Sequence, residues 1–310
     1  MTARVDRAVI AATSRMPNNW LGLRLAIGLR RLVTMRLAGD GGVDVERWGL
    51  RMRLHPLDNG CEKGLLFTPQ MYETLERAEL ASEIDKAAAA GRPFVFVDVG
   101  ANVGLFSLFV ASKTGPIATI IAIEPEPENL KRLRFNVAQN PGIPIRILPI
   151  ALGEMSGRVA LEVNCRDRGG TRARPCQTGT VECLPLLEAL KREGVSSIDA
   201  LKIDVESAED KILVPFFREA HESLWPRLLL IEDSRDSWHV DLFSLLAECG
   251  YVPAGKTKQN AILRRSLDLE FARHELGTER PVEREGNSAA DLTLHRIGRG
   301  ADCVRDIVAF

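Results

Sequence analysis

Apolar residues in the middle of the chain occur in short continuous runs, separated by segments whose apolar residues recur every three or four positions. Runs such as 94–99 and 118–123 contain almost no polar residue, which is typical of strands buried on both faces of a parallel sheet. The pattern predicts strands at 94–99, 118–123, 145–150, 200–205 and 227–232, helices at 103–113, 127–139, 185–193, 208–217 and 238–249, and closing strands near 251–264.

Strands that alternate with helices are joined by right-handed crossovers and form a doubly wound α/β sheet, in which ligands bind at the carboxyl ends of the strands. Four of the predicted strands carry an acidic residue at or next to that end: Asp98, Glu124, Asp204 and Glu232. The sequence therefore predicts a Rossmann-like α/β fold whose acidic residues share one crevice.

The two ends of the chain differ from this alternating region. We assign residues 1–65 to an extension with a basic helix and a hairpin near 43–57, residues 66–265 to the α/β domain, and residues 266–310 to a charged extension. A helix that opens at Phe67 and runs to about Ala90 begins the α/β domain. The arginine-rich segment 165–180 is predicted to be a mobile loop that could bind an acidic or polyhydroxylated acceptor; a solvated crossover is the alternative.

The first buried strand leads into a tight turn between Gly100 and Gly104, and the second strand is followed by Glu124. An acid at this position of a βαβ unit accepts hydrogen bonds from ribose hydroxyls. A pyrophosphate would need a glycine where the chain has Asn102, and Asp98 would repel it. S-adenosylmethionine (SAM) carries a sulfonium and an ammonium but no phosphate, so we predict that Asp98 faces its amino-acid end. The alternative is a structural glycine turn with an incidental acid.

Five stretches of the chain resemble the FkbM family of SAM-dependent methyltransferases. They are Asp98–Gly104, Glu124-Pro125 with Asn129, Ala151–Gly153 with Ser156-Gly157, Leu201–Glu209 and Leu228–Glu232, and together they extend over roughly residues 65–265. The resemblance implies a class I methyltransferase sheet. With the loop pattern, it assigns the cofactor to Tyr72, Asp98, Gly100, Asn102, Gly104, Glu124, Pro125 and Ala151.

Some of these positions admit a second interpretation or depart from the family pattern. A Tyr-Glu pair lies over the cofactor in the family, so Tyr72 and Glu73 are expected there; a packing role for Tyr72 is the alternative. Ser207 replaces a glycine, which would strain the loop if that position needs positive φ. Leu184-Pro185 stands where the family often has Leu-Asp, which removes a side-chain helix cap. Both departures concern the acceptor side of the site.

Methyl transfer to a hydroxyl needs a base that removes the acceptor proton, and Asp204 and Glu206 are our first candidates. They alternate around Val205 at a strand end, so we expect their side chains to start toward opposite faces. His239 is a second candidate, although a lone histidine near a helix start is usually a surface or capping residue. Asp204, Glu206 and Glu232 could also chelate a divalent cation, but no metal-specific spacing is present, so a metal is not favoured and we assign no metal ligand.

Charge and cysteine content exclude other classes of function. The chain has 41 Lys and Arg against 42 Asp and Glu, so it lacks the long-range attraction expected of a protein devoted to nucleic acid. Its six cysteines form neither a C-x-x-C pair nor a zinc-like spacing with histidine. We therefore expect free thiols, a cytoplasmic protein and no nucleic-acid partner.

The basic amino-terminal segment suggests a second partner. Residues 1–37 contain seven arginines and one acid, Asp6, and the arginines interrupt each apolar stretch before it reaches the length that crosses a bilayer. A basic amphipathic helix can instead lie on an anionic membrane, which would place the protein peripherally at the inner membrane surface. The alternative is a helix packed on the catalytic domain with its arginines in water.

The sequence as a whole predicts a SAM-dependent O-methyltransferase that acts on a hydroxyl of a saccharide, a glycolipid or a small secondary metabolite. The first alternative is an NAD-dependent Rossmann oxidoreductase, for which Glu124 fits equally well but Asn102 and Asp98 do not. The second alternative is a SAM-binding protein without turnover, which the departures at Ser207 and Pro185 make conceivable.

Overall fold

The computed structural model describes residues 2–37 and 42–266. Its helices and strands, in chain order, are α1 (Thr2–Thr13), α2 (Trp20–Thr34), β1 (Val43–Arg47), β2 (Leu50–Leu54), α3 (Gly60–Phe67), α4 (Thr74–Ala89), β3 (Val95–Val99), α5 (Leu105–Thr114), β4 (Thr119–Ile123), α6 (Pro127–Ala138), β5 (Ile145–Leu148), β6 (Ala151–Leu152), β7 (Gly157–Glu162), β8 (Arg172–Pro175), β9 (Val181–Leu184), α7 (Leu186–Arg192), β10 (Ala200–Ile203), α8 (Glu209–Glu219), β11 (Leu228–Glu232), α9 (Leu242–Glu248), β12 (Tyr251–Lys256) and β13 (Asn260–Arg265). Short 3₁₀ turns occupy 115–117, 168–170, 222–224 and 235–237.

A seven-stranded sheet with the order β12-β13-β11-β10-β3-β4-β5 forms the centre of the described chain. The strands from β11 to β5 are parallel, and β13 pairs antiparallel with both β11 and β12. The chain adds β4 and β5 on one side of β3 and then crosses back to add β10 and β11 on the other. This reversal opens a crevice at the carboxyl ends of the central strands. The predicted doubly wound α/β fold is confirmed.

Both faces of the sheet are buried, which explains the continuous apolar runs in the sequence. Val97 and Ile121 pack with α7, α8 and α9 on one face, whereas Phe96 and Ile120 pack with α4 and α5 on the other. All four side chains are fully buried. Removing them from water is the main contribution that holds the strands, and therefore the crevice, in place.

The amino-terminal region forms two helices where the sequence predicted one. Pro17 lies in the break, and the side chain of Asn19 accepts a hydrogen bond from Gly22 N at 2.8 Å to start α2. Ile10 and Val33 join an apolar cluster that also contains residues of the β1–β2 hairpin. Within the described residues, no helix combines the length and the apolarity that crossing a membrane requires.

Three other segments bear on the predictions from sequence. The hairpin near 43–57 is present as β1 and β2, whereas α3 was not predicted because its eight residues carry too short a pattern. The segment 165–180 is not simply a loop, since it contains β8, which pairs with β7 in a second sheet of order β6-β9-β7-β8. Every residue of β8 is exposed, so this strand lacks the alternation of apolar and polar residues from which a strand can be predicted. The charged extension lies outside the described residues from 267 onward.

Asn136 of α6 and Asn140, two residues beyond the end of α6, attach the hairpin to the α/β domain. Asn140 accepts a hydrogen bond from Arg51 N at 2.9 Å and donates one to Arg51 O at 2.7 Å, while Asn136 accepts one from Arg53 N at 2.8 Å. The other edge of β2 pairs with β1, so these amides take the place of the next strand. They satisfy backbone groups on the edge of β2 that faces away from β1.

Asn140→Ala should lower the free energy of unfolding by about 1–3 kcal/mol, because it leaves the N–H and C=O groups of Arg51 without their partners. Urea denaturation measures this change. Arg134→Ala, at an exposed position of the neighbouring helix α6, is the matched control and should change stability by less than about 0.5 kcal/mol. Equal stability of both variants would show that the amides do not hold the hairpin.

Candidate functional site

A cavity of about 850 Å³ lies at the carboxyl ends of β3, β4, β10 and β11. Its volume is in the range of sites that hold a small-molecule ligand. Of the predicted site residues, the cavity is lined by Tyr72, Asp98, Gly100, Asn102, Glu124, Pro125, Ala151, Asp204 and Glu206. Gly104 and His239 are not among its lining residues.

Two glycines give the loop after β3 its shape. Gly100 has a φ of +75°, and a Cβ at this position would lie 1.9 Å from the carbonyl oxygen of Asp204. Its amide donates to the carbonyl of Ile123 at 3.0 Å, which joins the loop to β4. Gly104 has a φ of +82°, and a Cβ there would lie 2.3 Å from Cδ1 of Leu133. Gly100 thus forms the cavity wall, whereas Gly104 allows α5 to begin behind it.

Asp98 is 1% exposed at the end of β3. Its Oδ2 accepts hydrogen bonds from Ser107 N at 3.1 Å and from Ser107 Oγ at 2.6 Å. Its Oδ1 is buried and has no hydrogen-bond partner in the described part of the chain. Burial raises the pKa of Asp98, against the opposing effects of Lys202 and Ser107. A buried acceptor atom of this kind fits a ligand that brings a cationic N–H donor.

Glu124 shapes the loop as well as lining the cavity. Its two carboxylate oxygens accept hydrogen bonds from the amides of Asn102 and Glu126, both at 2.8 Å. Burial raises the pKa of Glu124 to about 7, although these amides favour its charged form. Each oxygen keeps a second lone pair, so Glu124 can still accept from the hydroxyls of a ligand. Asn102, with a φ of +53°, also accepts from Asn59 Nδ2 at 2.7 Å, which fixes the middle of the loop.

Tyr72 and Glu73 lie at the cavity just before α4. The Tyr72 ring packs against Phe106, with centroids 6.4 Å apart, and burial raises the pKa of its phenol. Glu73 accepts a hydrogen bond from Asn260 Nδ2 at 3.1 Å. Burial, with the neighbouring carboxylate of Glu76, raises the pKa of Glu73 to about 7. Tyr72 therefore combines a packing contact with a position at the cavity.

Three carboxylates meet where β10 and β11 reach the cavity. Asp204, Glu206 and Glu232 each offer an oxygen, and these atoms lie within 4.8 Å of one another. Lys202 Nζ donates to Asp204 at 2.9 Å. Burial, reinforced by Asp204, raises the pKa of Glu206 to about 7 and that of Glu232 to about 8. Oxygen atoms at this spacing would also suit a divalent cation, which stays the alternative that the sequence does not favour.

The side chains of Asp204 and Glu206 do not diverge as expected, since both line the cavity. The reason is the backbone: β10 ends at Ile203, and Glu206 and Ser207 have φ values of +59° and +80°. The alternation of an extended strand therefore does not apply to them. Ser207 takes up the left-handed conformation that glycine adopts without strain, so the loop holds Glu206 in a strained turn.

His239 lies apart from this cluster, which corrects its prediction as a candidate base. Its side chain is 72% exposed, its Nδ1 is 3.4 Å from Asp210 Oδ2, and its amide donates to the same oxygen at 2.7 Å. Glu209 is fully buried and accepts hydrogen bonds from Val205 N at 3.0 Å and from Trp238 Nε1 at 2.8 Å. Both residues position the loops around α8.

The structure adds Lys202 to the site residues that were predicted from the sequence. It lies beside Asp98 in the β3–β10 register, is 7% exposed, and its ammonium is 5.1 Å from the centroid of Phe106. Burial opposes its charge, but Asp204 and Asp98 raise the pKa of Lys202 above its usual range. A lysine inside a buried apolar strand was the signal available. Other lining residues from distant segments, without such a signal, are Cys61, Asp167, Thr171, Gln259 and Asn260.

Known proteins resemble this chain in sequence and in structure. The curated protein Methyltransferase sdnD from Sordaria araneosa is 32% identical over 163 residues, a match that covers 42% of this chain and 62% of that protein. The METTL16 MTase domain has a TM-score of 0.47 at 14% identity, with 85% of this chain and 90% of that chain covered. Monomeric WbdD has a TM-score of 0.42 at 18% identity, with 65% and 43% covered. Structural likeness at this level adds nothing to the fold assignment, which rests on the strand order.

The match to a protein family is more informative than the matches to individual proteins. The Methyltransferase FkbM domain matches residues 98–253, which are more than half of the chain. The matched range runs from Asp98 through the glycine loop, Glu124 and the carboxylate cluster to β12. The chain therefore belongs to the FkbM methyltransferase family.

Proposed function

We propose that this protein transfers a methyl group from SAM to a hydroxyl of a saccharide, a glycolipid or a small secondary metabolite. The observation that carries the proposal is the buried Oδ1 of Asp98, which lacks a hydrogen-bond partner among the described residues and belongs to a residue that lines the cavity beside the glycine loop. An ammonium group on a ligand would satisfy this atom, whereas a diphosphate would be repelled by it.

Different residues around the glycine loop bind different groups of SAM. When bound, SAM supplies a methyl group that is attached to a sulfonium. The sulfur leaves as a neutral thioether, so it needs no further activation. Asp98 accepts from its ammonium, and Glu124 accepts from its ribose hydroxyls. Gly100 keeps this side of the cavity open, because any larger residue would collide with the Asp204 carbonyl. Tyr72 and Phe106, whose rings are in contact, supply apolar surface to the wall of the same cavity.

Isothermal titration calorimetry with SAM and with NAD should show binding of SAM alone. Asp98→Asn should weaken SAM binding by about tenfold to a hundredfold, because it removes a charge-assisted hydrogen bond worth about 1.5–3 kcal/mol. Asp85→Asn, an exposed acid on α4, is the control and should bind SAM as the unchanged protein does. Binding of NAD, or SAM affinity that Asp98→Asn leaves unchanged, would contradict the proposal.

The acceptor side of the cavity favours a neutral polyhydroxylated molecule over an acidic one. Acidic lining residues outnumber basic ones, and the basic ones are Arg158, Arg168, Lys202 and Lys211. Arg168 is already engaged by Asp58 and Glu126, at 2.9 Å each, so it does not offer a free positive charge to an anionic acceptor. Hydroxyl groups, by contrast, can donate to the carboxylates and accept from backbone amides of the wall.

The acceptor can be identified by mass spectrometry of polysaccharides, lipids and small metabolites from cells with and without this protein. We expect one neutral, hydroxyl-rich species to be lighter by the mass of one CH2 unit when the protein is missing, because methylation replaces a hydroxyl hydrogen by CH3. Loss of the increment from a carboxylate, amine or nucleic acid instead would contradict the proposed O-methyl transfer.

Proton removal from the acceptor hydroxyl is assigned to the carboxylate cluster. Asp204 is paired with the Lys202 ammonium at 2.9 Å, and its proposed role is to balance that charge. Glu206 and Glu232 form no ion pair with a described residue closer than 4.0 Å, and their raised pKa values lie near neutral pH. A base with a pKa close to the working pH is the most effective, so Glu206, together with Glu232, is the proposed base.

Activity should increase with pH through the range of about 7 to 8, because only the deprotonated carboxylate can accept the hydroxyl proton. Glu206→Gln should lower kcat by about a hundredfold or more and abolish this part of the pH profile. Glu219→Gln, at an exposed acid at the end of α8 that does not line the cavity, is the control and should keep both the rate and the profile. A flat profile for the unchanged protein, or full activity of Glu206→Gln, would show that another group removes the proton.

A further inference from the structure

The outward face of α2 carries an apolar stripe that the fold does not use. Leu21, Leu25, Gly28, Leu32 and Met35 follow one another at alternating spacings of four and three residues, which places them on one face of a helix. Four of them have large side chains, and these are exposed by 57%, 53%, 42% and 75% in chain order. A Cβ on Gly28 would meet no described atom within 4 Å, so the middle of the stripe is open as well.

The opposite face of α2 is what attaches the helix to the protein. Gly22, Ala26 and Val33 are buried there, and Val33 belongs to the apolar cluster that includes the β1–β2 hairpin. A Cβ on Gly22 would lie 2.2 Å from the carbonyl oxygen of Pro17, which shows how closely the chain packs on that side. These buried residues already anchor α2. The stability of the fold therefore does not explain why the other face carries an exposed apolar stripe.

Positive charge and an aromatic ring flank the stripe. Arg24 and Arg31, seven residues apart and both exposed, lie along one side of it, and the Arg24 guanidinium is 4.8 Å from the ring centroid of Trp20. Trp20 itself is 67% exposed at the start of the helix. The apolar stripe and the arginines beside it therefore suit a partner that has an apolar interior and a negatively charged surface.

We propose that α2 binds the surface of an anionic lipid bilayer and lies in the plane of the interface. Its 15 residues are too few to cross the hydrocarbon core, which needs about 20 residues. The leucines and the methionine enter the boundary of the acyl chains, the arginines contact the phosphate groups, and Trp20 lies at the level of the head groups. Nothing in this proposal depends on the methyl-transfer reaction.

A second copy of the chain fits the stripe less well than a membrane does. A two-fold dimer would bring the same face of both helices together, and with it Arg24 and Arg31 of each copy. These four like charges would repel one another at the edge of the contact, whereas an anionic surface neutralises them. The positive charge on this face therefore favours an anionic bilayer over a second copy of the chain.

The test is co-sedimentation of the full chain with large vesicles of phosphatidylcholine alone or of phosphatidylcholine with phosphatidylglycerol. Binding is expected to the anionic vesicles only and should weaken as salt concentration rises. The emission of Trp20 should shift to shorter wavelength on binding, and Trp20→Phe should remove most of that shift. Absence of binding, or equal binding to both vesicle types, would overturn the proposal.

Substitutions separate the contributions of the stripe and of the charge. Leu25→Gln with Leu32→Gln should weaken vesicle binding at least tenfold, and Arg24→Gln with Arg31→Gln should weaken it about thirtyfold. Ile117→Gln, at a 68% exposed apolar residue elsewhere on the surface, is the matched control and should bind like the unchanged protein. All these side chains are exposed, so the melting temperature should not change.

Two results would assign the face differently. If the Leu25→Gln/Leu32→Gln variant bound vesicles as tightly as the unchanged protein, the stripe would not be the contact surface. If light scattering showed a dimer that this variant converts to a monomer, without vesicle binding by either protein, the stripe would be a contact between copies. Either result would overturn the membrane proposal.

Discussion

The site depends on how closely two backbone segments approach each other at the end of the sheet. Gly100, after β3, lies so near the carbonyl oxygen of Asp204, after β10, that even a methyl group would not fit between them. This contact occurs where the direction of winding reverses, so the glycine loop and the 204–207 turn become neighbouring walls of one cavity. The cofactor side and the acceptor side of the proposed reaction thus meet at a single backbone contact.

A buried cation, Lys202, offsets part of the negative charge of this cavity. Lys202 is placed between Asp98 and Asp204 by the β3–β10 register, and it forms an ion pair with Asp204. The more distant carboxylates of Glu206 and Glu232 lack such a pairing within the described residues, which is why burial shifts their pKa values toward neutral pH. The two ends of the cavity are therefore different: a buried carboxylate oxygen without a hydrogen-bond partner in the described residues at Asp98, and a pair of weakly acidic groups at Glu206 and Glu232.

The amino-terminal extension takes part in the site as well as covering it. Asn59 donates to Asn102 in the glycine loop, and Arg132 of α6 forms ion pairs with Asp58 and Glu62 at 2.8 and 2.9 Å. Removing one partner of such a buried pair would leave an uncompensated charge, so these contacts define one position for α3 against the loop. The same extension carries the exposed face of α2, which links the position of the catalytic domain to any surface that α2 binds.

The α/β class, most of the strands and helices of the central domain, and the glycine turn were predictable from the sequence because they depend on local patterns: continuous apolar runs, paired glycines, and an acid at the end of four of the strands. The sequence did not reveal α3 or β8, whose residues form too short or too polar a pattern. The tertiary structure decided that Glu206 turns into the cavity beside Asp204, that His239 lies outside it, and that Lys202 is its central cation. Those outcomes depend on left-handed backbone angles and on contacts between segments far apart in the chain, which no local pattern encodes.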